Sequence, residues 1–183
     1  MQVAAARQLI ERRYGAAHGA IPATDYPHFC LIGGGHRGPT AVLGFRLAAT
    51  EPLFLEAYLD EPVEQAVSRM LQTTVARDRI VEIGAHASER SRATLELWAQ
   101  TARHLDGIAD VAVAVLTEPL RAMFTRLGVA IHEICDADRT RLRSAGEAWG
   151  RYYEQKPRVC AGLITPALPK LAAFAGAVTG TCT

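Results

Sequence analysis

With 183 residues, 49% of them hydrophobic, the chain has enough apolar material for one substantial core and too little for two, so residues 1–183 are expected to form a single domain. A net charge of +1 excludes a global field aimed at nucleic acid, an anionic membrane or an acidic substrate. Lys156 and Lys170 are the only lysines; arginine suits bidentate grips on carboxylate or phosphate, although base composition of the genome is the simpler account of the bias.

The amino-terminal MQVAAARQLIERRYG sets Arg7, Glu11, Arg12 and Arg13 where a secretory peptide needs its apolar middle. No apolar run approaches the ~18 residues that span a bilayer, and the tail LAAFAGAV is far too short. A cytoplasmic protein without a transmembrane segment is expected. Cys30, Cys135, Cys160 and Cys182 lie far apart, with no C-x-x-C pair and no histidine at metal spacing, which reads as reduced, mostly buried thiols and no metal site.

Residues 3–14 predict a short helix, followed by the loop-like GAAHGAIPATDYPH. FCLIGGGHRGPTAVLGFRLA gives two apolar runs split by Gly33, Gly34, Gly35, Gly38 and Pro39, the pattern of a hairpin. The triple glycine lacks the G-x-x-x-x-G-K-[ST] string of a phosphate loop and reads as a turn. In EPLFLEAYLDEPVEQAVSRML a helix restarts at Asp60-Glu61-Pro62, with Val63, Ala66, Val67 and Met70 on one face. Glu56, Asp60 and Glu64 fall off that stripe, as a solvated acidic edge would.

RIVEIGAHAS is strand-like and runs into a helix that Ser88 or Ser91 can cap. Leu95, Trp98, Ala99, Ala102 and Leu105 make the helical stripe, and Gly107 ends it. VAVAVLT reads as an interior strand, Thr117 as the cap of EPLRAMFTRLG, and VAIHEI as another strand. ADRTRLRSAGEAWGRYYEQ predicts a helix with Leu142, Ala145 and Trp149 inward, and RVCAGLI a last strand. This alternation predicts an α/β, mixed α+β fold: a mixed sheet covered by helices.

The junction at residues 84–92 opens backbone N–H groups and a helix amino end, where fixed dipoles attract an anion or a polarised carbonyl; Arg90 and Arg92 can add charge. Ser88 and Ser91 acting only as caps explains the spacing equally. Glu82 interrupts the apolar Ile80-Val81-Glu82-Ile83, so it either faces water or sits in a cleft, where desolvation would raise its pKa and suit it to general-base work. His86 is the best-placed histidine, and His132 shares its ambiguity. No Ser-His-Asp arrangement or nucleophile elbow is legible, and Cys135 has no recognisable nucleophile setting.

TEPLRAMFTRLGV resembles the fourth-helix region of GCN5-related N-acetyltransferase (GNAT) folds. FRLAATEPLFLEAYLDEPVEQAV, RIVEIGAHAS and WGRYYEQKPRVCAG together resemble the thermostable hemolysin family, itself similar to GNAT folds and acyl-homoserine-lactone synthases. The resemblance implies a GNAT-like sheet whose 80–87 and 111–117 strands run parallel and splay into a V-shaped cleft. It implies an acyltransferase forming an amide on a small-molecule amine, with Glu82 and His86 catalytic. Ile83 and Gly84 would bind the acyl carbonyl, with Arg46, Glu56 and Thr117 on the substrate and Ser88, Arg90, Ser91 and Arg92 on the donor.

The sequence departs from that pattern in three places. HASERSRA has no glycine where a coenzyme A phosphate loop would read Arg/Gln-x-x-Gly-x-Gly/Ala, Phe124 stands where a tyrosine often protonates the leaving thiolate, and Gly84-Ala85-His86-Ala87 replaces the family's usual Gly-Asn-Leu-Ala. The implied donor is therefore non-standard, an aminoacyl-tRNA or an acyl carrier protein ahead of simple acetyl-CoA. Arginines at 77, 79, 90, 92, 139, 141 and 143 are candidates for meeting a phosphate backbone. Tyr152 or Tyr153 could replace the missing acid. A membrane-active hemolysin-like protein and a catalytically inactive binding module are the competing readings; specialised metabolism is the expected setting, and oligomerisation is left open.

Overall fold

The computed structural model describes residues 2–20, 25–34, 38–175 and 180–183; the side chains of 143–147 lie outside that description. Gly35 of the triple glycine, and the side chains expected at Arg143 and Ala145, are among the residues outside it, as is part of LAAFAGAV.

Among the described residues seven strands form one mixed sheet: β1 (His28–Gly33), β2 (Pro39–Leu47), β3 (Ile80–Ser88), β4 (Val111–Leu116), β5 (His132–Asp136), β6 (Arg158–Leu163) and β7 (Gly180–Cys182). Their spatial order is β5-β6-β4-β3-β2-β1-β7. The central pair β3 and β4 runs parallel and every other pair is antiparallel. Among the described residues five α-helices, α1 (Gln2–His18), α2 (Val63–Leu71), α3 (Ser91–Leu105), α4 (Glu118–Arg126) and α5 (Ile164–Ala172), cover its faces.

Residue alternation along each strand sorts the core into two layers. On one face Leu9 of α1, Phe29, Leu55, Val63 and Val67 are buried against Val42, Ile80 and Val113. On the other, Leu97 and Leu105 of α3, Phe124 of α4 and Leu171 of α5 pack on Leu43, Val81 and Ile83. The hairpin is as expected, with His28 opposite Phe45, and the α3 stripe buries Trp98, Ala99 and Leu105, with Leu97 in place of Leu95.

The structure corrects several expectations. Residues 139–155 form 3-10 turns, Arg139–Trp149 and Tyr152–Gln155, rather than one α-helix. Gly150 breaks the run at φ +52°, and a Cβ there would lie 2.3 Å from the His18 carbonyl, so the chain must turn against α1 at that point. ITPALPKLA is helical, with Pro166 in the first turn, where no N–H is needed, and Pro169 inside the helix. Neither expected serine nor Thr117 caps by side chain: Arg90 is the N-cap of α3, and Thr117 that of α4, without a side-chain hydrogen bond. Ser88 Oγ instead bonds the Arg90 carbonyl at 2.8 Å. Finally, Cys30 and Cys182 face each other across β1 and β7 and are joined in a disulfide, while Cys135 and Cys160 are free.

Candidate active site

The strands β3 and β4 pair from Ile80–Val111 to Ile83–Ala114 and no further, although β3 runs on to Ser88 and β4 to Leu116. The gap opens into a cleft of about 460 Å³ bounded by α1, the starts of α3 and α4 and the 3-10 turns that carry Trp149, Tyr152 and Gln155.

Peptide direction shows which groups the parting leaves free. The Ile80 carbonyl accepts from Ala48 of the β2 side at 3.0 Å, so alternation turns Ile80, Glu82 and Gly84 toward β2, and Val81 and Ile83 toward β4. The Asp110 carbonyl accepts from Ile164, which turns Val111, Val113 and Val115 toward β3. Val115 is thus the first β4 residue whose carbonyl has lost its β3 donor, and the Tyr152 hydroxyl donates to it at 3.3 Å instead. On β3 the amide left facing the gap belongs to Ala85. Of the two residues expected to bind the carbonyl through their backbone, Ile83 closes the ladder and Gly84 opposes Gly44 on β2; both line the cleft.

Ala85 has φ +50°, a left-handed conformation that costs an L-residue about 1–2 kcal/mol, and it sits where the β2–β3 register shifts between Val42 and Gly44. Two β2 steps there oppose three β3 steps. The bulge inverts the facing of everything after it. Glu82 shares the α1 face with Ala85 and Ala87, whereas His86 is turned to the α3 face, its ring 6.0 Å from that of Trp98. Glu82 and His86 therefore stand on opposite faces of β3, although both line the cleft.

Glu82 is 2% exposed. Its carboxylate accepts the backbone N–H groups of Phe54 (2.8 Å) and Leu55 (3.0 Å), the first turn of a 3-10 segment, Phe54–Tyr58. Arg46 Nε stands 3.6 Å away. Burial pushes the Glu82 pKa up to about 7, with the two amides and Arg46 pulling the other way. A carboxylate has about four acceptor positions, of which the two amides take two, and the Tyr26 hydroxyl stands beside the group.

Arg46, expected on the substrate, has its terminal nitrogens engaged by the Asp25 and Pro52 carbonyls and by Glu51, and its Nε faces Glu82 at 3.6 Å. It also lies over the Tyr26 ring, 4.7 Å from the centroid. Glu56 is likewise committed. Arg77 grips both its oxygens at 2.7 and 2.9 Å, and the Leu53 and Val63 amides add to the hold. These contacts, led by Arg77, lower its pKa to about 2. Glu56 lies outside the cleft lining and anchors the 3-10 segment that presents amides to Glu82.

Thr117, Ser88, Arg90 and Ser91 do line the cleft. Arg92 does not: it is paired with Glu96 at 2.9 Å and points to solvent. Of the arginines proposed for a phosphate backbone, Arg77, Arg79, Arg92 and Arg141 are held by acidic partners, Glu56 and Glu64, Asp110, Glu96 and Asp60. His132 is exposed on the sheet edge, and Phe124 is buried edge-on against Trp98. Of the two tyrosines considered for the missing acid, Tyr152 lines the cleft, while the Tyr153 hydroxyl is bound to that of Tyr58 at 2.7 Å.

Tyr26 is the residue the sequence did not reveal. Its ring covers the paired glycines Gly44 and Gly84, where added Cβ atoms would meet it at 2.5 and 2.0 Å. Burial, then the Glu82 charge, raise its pKa. Two glycines inside apolar strands were the available signal, since strand glycine marks a close approach. Below the cleft, on the α3 face, lies a second, apolar cavity of about 70 Å³ that shares Ile83, Trp98, Ala114 and Leu116 with the first.

A sequence profile described as thermostable hemolysin matches residues 1–168. The chain belongs to the thermostable hemolysin family. No curated protein matches it. Solved structures add neighbours to this member of the family. FeeM, an N-acyl amino acid synthase from uncultured soil microbes, is 12% identical, with 95% of each chain covered and a TM-score of 0.58. BjaI, a CoA-dependent acyl-homoserine lactone synthase with SAM and isopentyl-CoA, is 15% identical over 93% of this chain and 82% of its own, at 0.59. TofI in a ternary complex with an inhibitor and MTA is 16% identical over 96% and 95%, at 0.57. At these identities the likeness is one of fold.

Proposed function

We propose that this protein is an N-acyltransferase of GNAT-like fold, acting as a single domain and moving an acyl group from a carrier to the amine of a small molecule. The observation that carries the reading is the parted β3–β4 pair with a buried carboxylate beside it. The Ala85 amide polarises the acyl carbonyl, an interaction worth a few kcal/mol when the oxygen becomes anionic. Glu82 removes the proton that the amine sheds on attack, directly or through a water, and Arg46 and the two strap amides keep its carboxylate oriented. Thr117 and Tyr26 border the acceptor, and Ser88, Arg90 and Ser91 the carrier. The apolar cavity under the cleft supports an acyl chain rather than a bare acetyl group, in keeping with fold relatives named for N-acyl amino acids and acyl-homoserine lactones.

A thioester of acyl carrier protein or coenzyme A is the preferred donor, because four arginines offered to a phosphate backbone are already paired. Aminoacyl-tRNA is the competing donor. The test is product mass after incubating the protein with each donor class and a pool of amines. Amide from a thioester supports the reading, amide from charged tRNA alone replaces the donor, and no amide from any of them removes the reading. The family's description favours a second reading, membrane lysis; no helix among the described residues is long and apolar enough to cross a membrane. Dye release from liposomes on adding the purified protein would support it.

A further inference from the structure

Two ring nitrogens on the α3 side of the cleft have no partner among the described residues: Nε2 of His86 and Nε1 of Trp98, both inaccessible to solvent. Unpartnered buried polar atoms are uncommon, and each costs about 1–3 kcal/mol unless a ligand or water answers it. Here two occur on adjacent rings that both line the same cleft. Indole Nε1 can only donate, so whatever answers it carries an acceptor.

Their place in the cleft assigns the ligand's side. The bulge at Ala85 sends His86 away from Glu82 and toward the start of α3, so the polar atoms of β3 are divided between the two faces of the gap. The acceptor amine must reach Glu82 from the α1 face. The carrier, leaving from the carbonyl held at Ala85, departs past His86 toward Ser88, Arg90 and Ser91. Phe124, in the position where the resembling folds often have a tyrosine, is packed edge-on against Trp98 and offers no donor.

We infer that His86 is the catalytic residue of the leaving-group side, its Nε2–H donating a hydrogen bond to the sulfur of the departing carrier thiol, with the Trp98 N–H beside it holding the carrier's nearest carbonyl. This rests on the acyltransferase reading. The amine nitrogen bonds to the acyl carbon, the carbon–sulfur bond breaks, the electron pair goes to sulfur, and the nitrogen's proton passes to Glu82 and then through solvent to the thiolate. The imidazole is not consumed. Burial lowers the His86 pKa to about 4, so the ring is neutral near pH 7 and keeps one N–H, which suits a donor that must not itself be deprotonated.

The test compares His86→Gln, which can place an amide N–H near Nε2, with His86→Met, which fills the space and cannot donate. With an alkyl thioester of pantetheine, kcat should fall about ten- to a hundredfold in His86→Met and be largely retained in His86→Gln. KM for the amine should be unchanged. With an aryl thioester, whose thiolate leaves unaided, the His86→Met loss should shrink to within about threefold. Equal losses in both variants, or a loss indifferent to the leaving group, overturn the assignment. In parallel, free pantetheine is titrated into wild-type protein while the His86 imidazole and Trp98 indole nitrogens are followed by NMR: both should shift, and unmoved resonances at saturation also overturn it. If wild-type protein forms no amide at all, the acyltransferase reading falls, and the titration alone judges the site as a thiol-carrier subsite.

Discussion

Glu82 stores a conflict between burial and charge that should be visible in two separate measurements. Its carboxylate must be ionised to accept a proton, so kcat should climb about tenfold per pH unit below about 7 and level off above. Glu82→Gln should cost roughly a hundredfold or more in kcat and abolish that limb, read from initial rates across pH. Stability runs the other way. The folded pKa lies above the unfolded one, 4.5, so the native state binds the extra proton between the two values. Stability is fully present below pH 4.5 and declines by about 3 kcal/mol as pH rises through 7. Calorimetric melting across that window should flatten in Glu82→Gln. Gly84 gives a second test at this scale. Gly84→Ala drives a methyl into the Tyr26 hydroxyl and should lower Tm, and Tyr26→Phe, by removing that oxygen, should restore part of the loss; additive losses in the double variant would refute the contact. Glu82 was legible in the sequence because a charge inside an apolar strand demands a reason. Arg46 and Glu56 were legible as charges but not as partners, since their counterparts Glu51, Glu82 and Arg77 are fixed only by tertiary packing.

At the scale of elements, the bulge and the 3-10 strap set the geometry. Ala85 pays the cost of φ +50° without glycine's freedom, so Ala85→Gly should stabilise by about 1 kcal/mol or less, and Ala85→Val should destabilise by more than that, measured by urea unfolding. The strap depends on Arg77. Arg77→Ala would release Glu56, loosen the Phe54 and Leu55 amides and weaken their downward pull on Glu82. The expected result is an acid limb of kcat displaced above 7, with a stability loss of roughly 1–3 kcal/mol; an unmoved limb would show the strap to be independent of the pair. Period-two and period-3.6 patterning made the hairpin, β3, α3 and β4 readable in advance. The bulge was not, because Gly-Ala-His-Ala alternates as smoothly as any strand and the extra residue is defined only against β2. The 139–155 turns were missed because their apolar spacing is helical, and the break at Gly150 is fixed only by its contact with the end of α1.

Across the whole molecule, the parallel centre of an otherwise antiparallel sheet creates the cleft, and the alternation of strands and helices in the second half of the sequence anticipated it. The cysteines behaved otherwise. Spacing of 152 residues conceals a cross-strand pair, since nothing local tells that β7 returns to β1. Reducing the bond, or Cys182→Ser, should lower stability by about 2–5 kcal/mol, seen as a fall in Tm, while the intact mass of unreduced protein should be lighter by two hydrogens. An unchanged Tm and mass would mean the bond does not form. A disulfide that ties the edge strand β7 to its neighbour β1 also turns nearly the full length of the chain into a covalent ring. A protease that cuts any one loop between residues 30 and 182 would open that ring without releasing a fragment, so nicked protein would migrate as one species until a reductant is added.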